Sequence, residues 1–265
     1  MLKAPQLIKI KKSNRPLYPD RLENIYNRQK DAGYINLNPI TEHDIKIRAK
    51  NKRQKEIILS IINQLPKKQV VHDKLKAIAV LNDTSFLAKH NNKDNVIYLS
   101  SKLFTPQYQA KRPFHRIDGI PSLVELLTHE IGHSVDRLYS KGDDNTAWMK
   151  KFGWVYPKDR NEVQELISNG YTSAMTHFNN ISDADRLTLE PGDDEDIKKK
   201  IKQRYPMEKN GSEMNISWYG KVSPAEDFAE SYCQYRWNNK NFEGIDPVRS
   251  KYMQLEIFDS EIYDS

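Results

Sequence analysis

A chain of 265 residues can bury a substantial core, while a hydrophobic fraction of 37% and a mean hydropathy of -0.81 exclude a bundle of membrane spans and point to extensive polar loops or exposed helices. The formal net charge of +6 allows an acidic partner, and the single cysteine, Cys233, excludes an intrachain disulfide framework and a multi-cysteine zinc finger. The first residues, from Met1 to Lys12, lack the apolar run and small-residue cleavage site of a secretory signal, so a cytoplasmic protein without Sec export is expected.

Much of the positive excess lies early. Pro5, Pro16 and Pro19 among basic residues describe an extended arm, followed by a short helix that Asp20 caps and Gly33 stops, with Leu22, Ile25 and Tyr26 on one face. Thr41 to Asp44 opens a longer expected helix that carries Ile57, Ile58, Ile61, Ile62 and Leu65 and ends at Pro66. Its second half would dock on a core. Its first half, with Lys46, Arg48, Lys50, Lys52, Arg53 and Lys55, would be solvated or meet a partner. Residues 1–66 are thus a basic arm with helices and a candidate partner surface. No nucleic-acid-binding motif accompanies the charge, so nucleic acid is not an expected ligand.

The remainder, 67–265, reads as one α+β domain. Leu75 to Leu81 and Val96 to Ser100 read as strands joined through a polar connection, His90 to Asn95. The second of these strands precedes the helix described next, where an extended peptide could add to a sheet edge. That helix is signalled by Pro121 and the capping-box pattern Ser122-Leu123-Val124-Glu125. Leu123, Leu126, Leu127, Ile131, Val135 and Leu138 mark it as a core helix.

Inside it, His129-Glu130-Ile131-Gly132-His133 spells HExxH, the pattern of zinc peptidases. Histidines four apart stand one turn above each other, about 40° apart around the axis, so both imidazoles can reach one metal. Glu130 lies about 100° round from His129, where it can touch a water without ligating, as a general base must. The competing reading is a pair of hydrogen-bonded core histidines.

Beyond Tyr139 the chain reads as helical and polar. Candidate helices are Thr146–Phe152, Arg160–Asn169, Asp194–Arg204, Pro224–Trp237 and Pro247–Phe258. A catalytic zinc takes three protein ligands, and the positions after His133 that would supply a third histidine in one large class hold Asp136 and Tyr139 instead. A glutamate is the remaining option. The best segment runs from Trp218 to Tyr232, where Ser223 caps, Pro224 opens a helix, and Glu226 and Glu230 lie one turn apart. Glu226 is equally the third position of a Ser-x-x-Glu capping box. Cys233, seven residues on, reads as a small buried side chain near the site.

HExGHxxD from His129 to Asp136, followed by Tyr219-Gly220, a short spacer and Glu226-Asp-Phe-Ala-Glu230, resembles the catalytic domain of anthrax lethal factor and the related Pro-Pro endopeptidases. The resemblance covers roughly 70–260, with residue-level correspondence in 123–139 and 218–235. It implies a zinc endopeptidase acting on a protein or peptide substrate, built on a small twisted sheet, the HExxH helix and a mainly helical C-terminal part. It implies zinc ligation by His129, His133 and Glu226, water activation by Glu130, and an oxyanion hydrogen bond from Tyr219. Glu230, and in a related way Asp136, would orient a ligand histidine. The stretch between His133 and Glu226 is longer than in those relatives, which implies an insertion at about 142–215. Those relatives are secreted, and delivery by a phage or another non-Sec route would fit this chain. A non-catalytic zinc-containing component or cargo of a phage virion or secretion assembly is the alternative.

Overall fold

The computed structural model describes residues 39–83, 85–105, 108, 117, 120–140, 147–157, 160–173, 207–209, 219–220 and 223–260. The expected arm and short helix before residue 39, and the expected helix Asp194–Arg204, lie outside the described residues. The architecture is mixed α and β. In chain order the elements are β1 (Lys46–Arg48), α1 (Lys52–Ile62), α2 (Lys67–Val70), β2 (Ala77–Leu81), β3 (Ala88–Asn91), β4 (Val96–Ser100) and α3 (Ser122–Tyr139). Then come α4 (Ala147–Phe152), β5 (Trp154–Val155), α5 (Arg160–Ser168), β6 (Tyr171–Ser173), β7 (Met207–Lys209), α6 (Pro224–Ile245) and α7 (Pro247–Tyr252).

Four strands form one sheet in the order β1-β2-β4-β3, with β1, β2 and β4 parallel and β3 antiparallel to β4. Ile78 pairs with Ile97 and Val80 with Leu99, and these four side chains enter the main core. The opposite face of the same strands, Ala77, Ala79 and Val96, is also buried. Burial on both faces explains why β2 and β4 read as nearly continuous apolar runs. Helix α3 lies against β3 and β4, meets α1 and α2, and pairs with α6. Its buried Leu123, Leu127, Ile131 and Val135 share the core with Ile58, Ile61 and Ile62 of α1.

Several expectations are corrected. The helix expected from Thr41 to Leu65 is a turn, a strand and a shorter helix. Asp44 accepts from the Thr41 backbone N–H and hydroxyl, and β1 pairs with β2. Asn51 then caps α1 by accepting from the Gln54 N–H at 2.9 Å. The physical reason lies in the period: Ile45 is buried, Lys46 exposed, Ile47 partly buried and Arg48 exposed, an alternation of two rather than a helical stripe. The polar connection His90–Asn95 also contains structure, because β3 pairs back on β4 through a turn that places Asn95 at φ 58. Consequently β4 is interior, and the edge strand on that side is β3.

The C-terminal part is less uniformly helical than expected. A second, antiparallel sheet of order β5-β7-β6 occupies part of the stretch assigned to an insertion. Helix α6 continues past Trp237 to Ile245 across a break at Asn238, whose φ is -145. Helix α7 ends at Tyr252, and Met253–Ile257 form a π-helical turn instead of continuing to Phe258. No helix among the described residues is long and apolar enough to cross a membrane.

Candidate metal centre

The first half of the site is a helix start made by backbone rather than by a capping box. Pro121 precedes α3 with no side-chain cap, and its carbonyl accepts from the Val124 and Glu125 N–H groups. Ser122 and Glu125, the expected box, are instead buried, and the Glu125 carbonyl accepts from the Cys233 thiol at 3.5 Å. Two turns on, the helix presents His129 and His133, whose rings meet edge to face with centroids 4.8 Å apart.

The second half starts at α6. Ser223 has an extended backbone and its hydroxyl accepts from the Glu226 N–H at 3.2 Å, while Pro224 opens the helix. The Glu226 carboxylate does not turn back to complete a box. It points across to α3, with Oε2 at 3.0 Å from His129 Nε2 and 3.4 Å from His133 Nε2. One stripe of α6 therefore meets one stripe of α3. Besides Glu226, Glu230 Oε1 stands 2.7 Å from His129 Nδ1, and the Trp237 indole donates to the Thr128 hydroxyl at 2.9 Å.

Gly132 sits in the middle of this seam. A Cβ there would lie 2.9 Å from the Ala229 Cα and 3.3 Å from its Cβ, closer than packed atoms allow. The glycine of the motif is thus what lets the two helices approach until Glu226 reaches the histidines.

His129, His133 and Glu226 each offer one ligand atom, all within 4.8 Å of one another, close enough to hold a metal ion. Ligand atoms about 2 Å from a tetrahedral ion stand roughly 3.3 Å apart; the two carboxylate-to-imidazole distances, 3.0 and 3.4 Å, are of that order, while the three atoms together span up to 4.8 Å. Two imidazoles and a carboxylate also suit a divalent transition ion. The charges agree. Burial would push the Glu226 carboxyl up, but the His133 charge and hydrogen bonds from both histidines outweigh it and hold it well below the usual range. Burial would lower His133, but the Glu226 charge and hydrogen bond raise it to about 9.

Glu130 is buried beside this cluster and does not join it. Its Oε2 accepts from the backbone N–H of His90 on edge strand β3 at 2.6 Å, and Oε1 takes no part in that bond. The His90 ring is held down to about 4 by burial and by the nearby His133, so it is neutral at neutral pH. Sequence reasoning missed His90, and a contact made by a main-chain amide leaves no residue-type signal. Tyr219 lies beside the cluster, its ring centroid 5.9 Å from that of His129. Asp136 lies one turn after His133 on α3. It makes no hydrogen bond to either histidine among the described residues. Burial pushes its carboxyl up to about 7 while the His133 charge pulls it down.

Together these features define a mixed α and β protein with a partly buried two-histidine, one-carboxylate cluster on a helix pair. Comparison of the chain with protein families, curated proteins and solved structures finds no match in any of the three.

Proposed function

We propose that the chain is a zinc-dependent endopeptidase of the glutamate-ligand type, as its resemblance to the lethal factor catalytic domain and the Pro-Pro endopeptidases implies. The observation that carries the reading is the meeting of Glu226 with His129 and His133 across the α3–α6 seam, with Glu130 held beside them but outside the cluster. A bound zinc would polarise the scissile carbonyl and lower the pKa of a water.

The chain's own groups supply the rest. Glu130 is fixed through Oε2 by the His90 amide, so Oε1 is the atom that takes a proton from the attacking water and returns it to the leaving amine. The Tyr219 hydroxyl donates to the oxygen that gains charge in the tetrahedral intermediate. Glu230 Oε1, 2.7 Å from His129 Nδ1, would orient the ring so that Nε2 is left for the metal. Edge strand β3 runs beside Glu130, and its outer side, apart from the His90 amide that Glu130 occupies, would offer a peptide substrate a place to pair.

The test has two arms. Purified protein is expected to hold about one zinc per chain. Terminal-peptide mass spectrometry on a proteome-derived library is expected to show cleavage by wild type and none by Glu130→Gln. Metal-free protein with an intact fold overturns the zinc reading. Zinc-loaded protein that cleaves nothing leaves the non-catalytic reading.

A further inference from the structure

Asp227 follows the candidate ligand Glu226 directly and takes no part in the chemistry above, yet it is the most heavily bonded carboxylate in the described chain. It is 1% exposed. Its Oδ2 accepts from the indole N–H of Trp148 at 3.1 Å and of Trp154 at 3.0 Å. The Arg249 guanidinium reaches the same carboxylate, with Nε 3.0 Å from Oδ1 and Nη2 3.0 Å from Oδ2. Arg249 is held in turn by Asp246 through Nη1 at 2.8 Å, and its guanidinium lies 4.6 Å over the Phe152 ring.

Such a cluster is a poor device for stability alone. Desolvating a charged pair is costly, and apolar residues of similar volume often serve as well. What it does supply is geometry. Asp227 lies in the first turn of α6, about 100° around the axis from Glu226. Fixing its carboxylate from three other elements, α4, β5 and α7, fixes the roll of that turn and so the direction of the Glu226 side chain. Metal–ligand distances in real sites fall within about 0.2 Å of standard values, so the direction of a ligand side chain matters.

We infer that Asp227, with Trp148, Trp154 and Arg249, positions the third metal ligand, so that the 147–155 segment and the C-terminal helix are working parts of the metal centre rather than attachments to it. The inference rests on the metal-centre reading of His129, His133 and Glu226. It also gives a role to part of the stretch assigned to an insertion. Trp148 and Trp154 come from that stretch, and both indoles are spent on the residue next to a ligand.

The experiment uses the full-length chain and measures zinc affinity by chelator competition, together with the visible spectrum of the cobalt-substituted protein. Wild type must bind one ion with the intense bands of a tetrahedral site, and if it does not, it is the metal-centre reading that fails. Given binding by wild type, Asp227→Asn and the double variant Trp148→Phe with Trp154→Phe are expected to weaken zinc binding about 10- to 100-fold and to change the cobalt spectrum. Arg249→Lys keeps the charge but loses the fork, and is expected to behave likewise. Leu99→Ala, in the sheet core and touching neither the ligand residues nor the Asp227 cluster through any hydrogen bond or ion pair, serves as a destabilised control whose affinity and spectrum stay at wild-type values. Folded variants with wild-type affinity and spectrum overturn the inference, as does an equal loss in the Leu99 control.

Discussion

The core beneath the four-stranded sheet and the seam between α3 and α6 are both buried, yet they are built from opposite materials. Ile78, Val80, Ile97 and Leu99 meet α1 and α3 with no polar side chain among them, and each contributes about 1.5–3 kcal/mol of burial. The seam holds Glu226, Glu230, His129 and, on its flank, Asp227 and Arg249, groups that are costly to bury unless paired. The sheet side therefore supports the fold, and the seam is where stability is given up for a defined arrangement of charges. That division makes the two regions separable by mutation.

The largest expected effect on function comes from the seam without any effect on the fold. Glu130→Gln keeps the shape and the His90 contact but removes the proposed base, so on that proposal cleavage should fall by about 100- to 10,000-fold while the thermal midpoint and zinc content hold. A parallel loss of zinc would show that Glu130 belongs to the ligand set. The reverse pattern is expected from the sheet. Leu99→Ala should cost about 2–5 kcal/mol in denaturant unfolding and leave zinc affinity untouched.

Gly132→Ala bridges the two regions. The added methyl meets the Ala229 backbone at 2.9 Å, which a rotamer change cannot relieve, so α6 must retreat. A stability loss of about 1–3 kcal/mol is expected, accompanied by weaker zinc binding because Glu226 sits one turn from Ala229. Lost stability with unchanged zinc affinity would mean that the helices separate without moving the ligand.

How far each region could be read in advance follows from how local its determinants are. The α3 half of the site is legible because His129, Glu130 and His133 act through one helix, and 3.6-residue periodicity fixes their relative directions. Glu226 was reachable as a candidate because Ser223 and Pro224 mark a helix start with the glutamate at a fixed offset. The strand β1 was not, since its alternation spans only Ile45 to Arg48 beside a strong helical stripe in Ile57 to Leu65. Nor were the His90 amide on Glu130 or the indoles on Asp227. Those contacts join residues 40, 79 and 73 positions apart, and no local pattern specifies such partners. The capping box at Ser122 did not form: both of its side chains are buried, and the helix start is held by the Pro121 carbonyl instead.

The smallest effect is a proton. In metal-free protein His133 is raised from an ordinary 6.5 to about 9, so its contribution to stability is complete below about 6.5 and fades as pH rises through 9. Glu226 is depressed, so its contribution is present above the ordinary 4.5 and is lost as pH falls below it. Asp136 acts in the opposite sense to a paired carboxylate. Raised from 3.8 to about 7, it removes stability progressively over that interval. Metal-free protein should therefore be most stable in mildly acidic solution and weaken toward pH 9. Zinc must displace the His133 proton, so binding at pH 7.5 should release about one proton, and affinity should tighten about tenfold per pH unit up to 9. Calorimetry in buffers of different ionisation enthalpy measures that proton directly. The sheet core carries no titrating group, so Leu99→Ala should lower the stability profile without changing its shape, whereas loss of the proton release in wild type would mean that Glu226 and His133 are not the coupled pair that meets the metal.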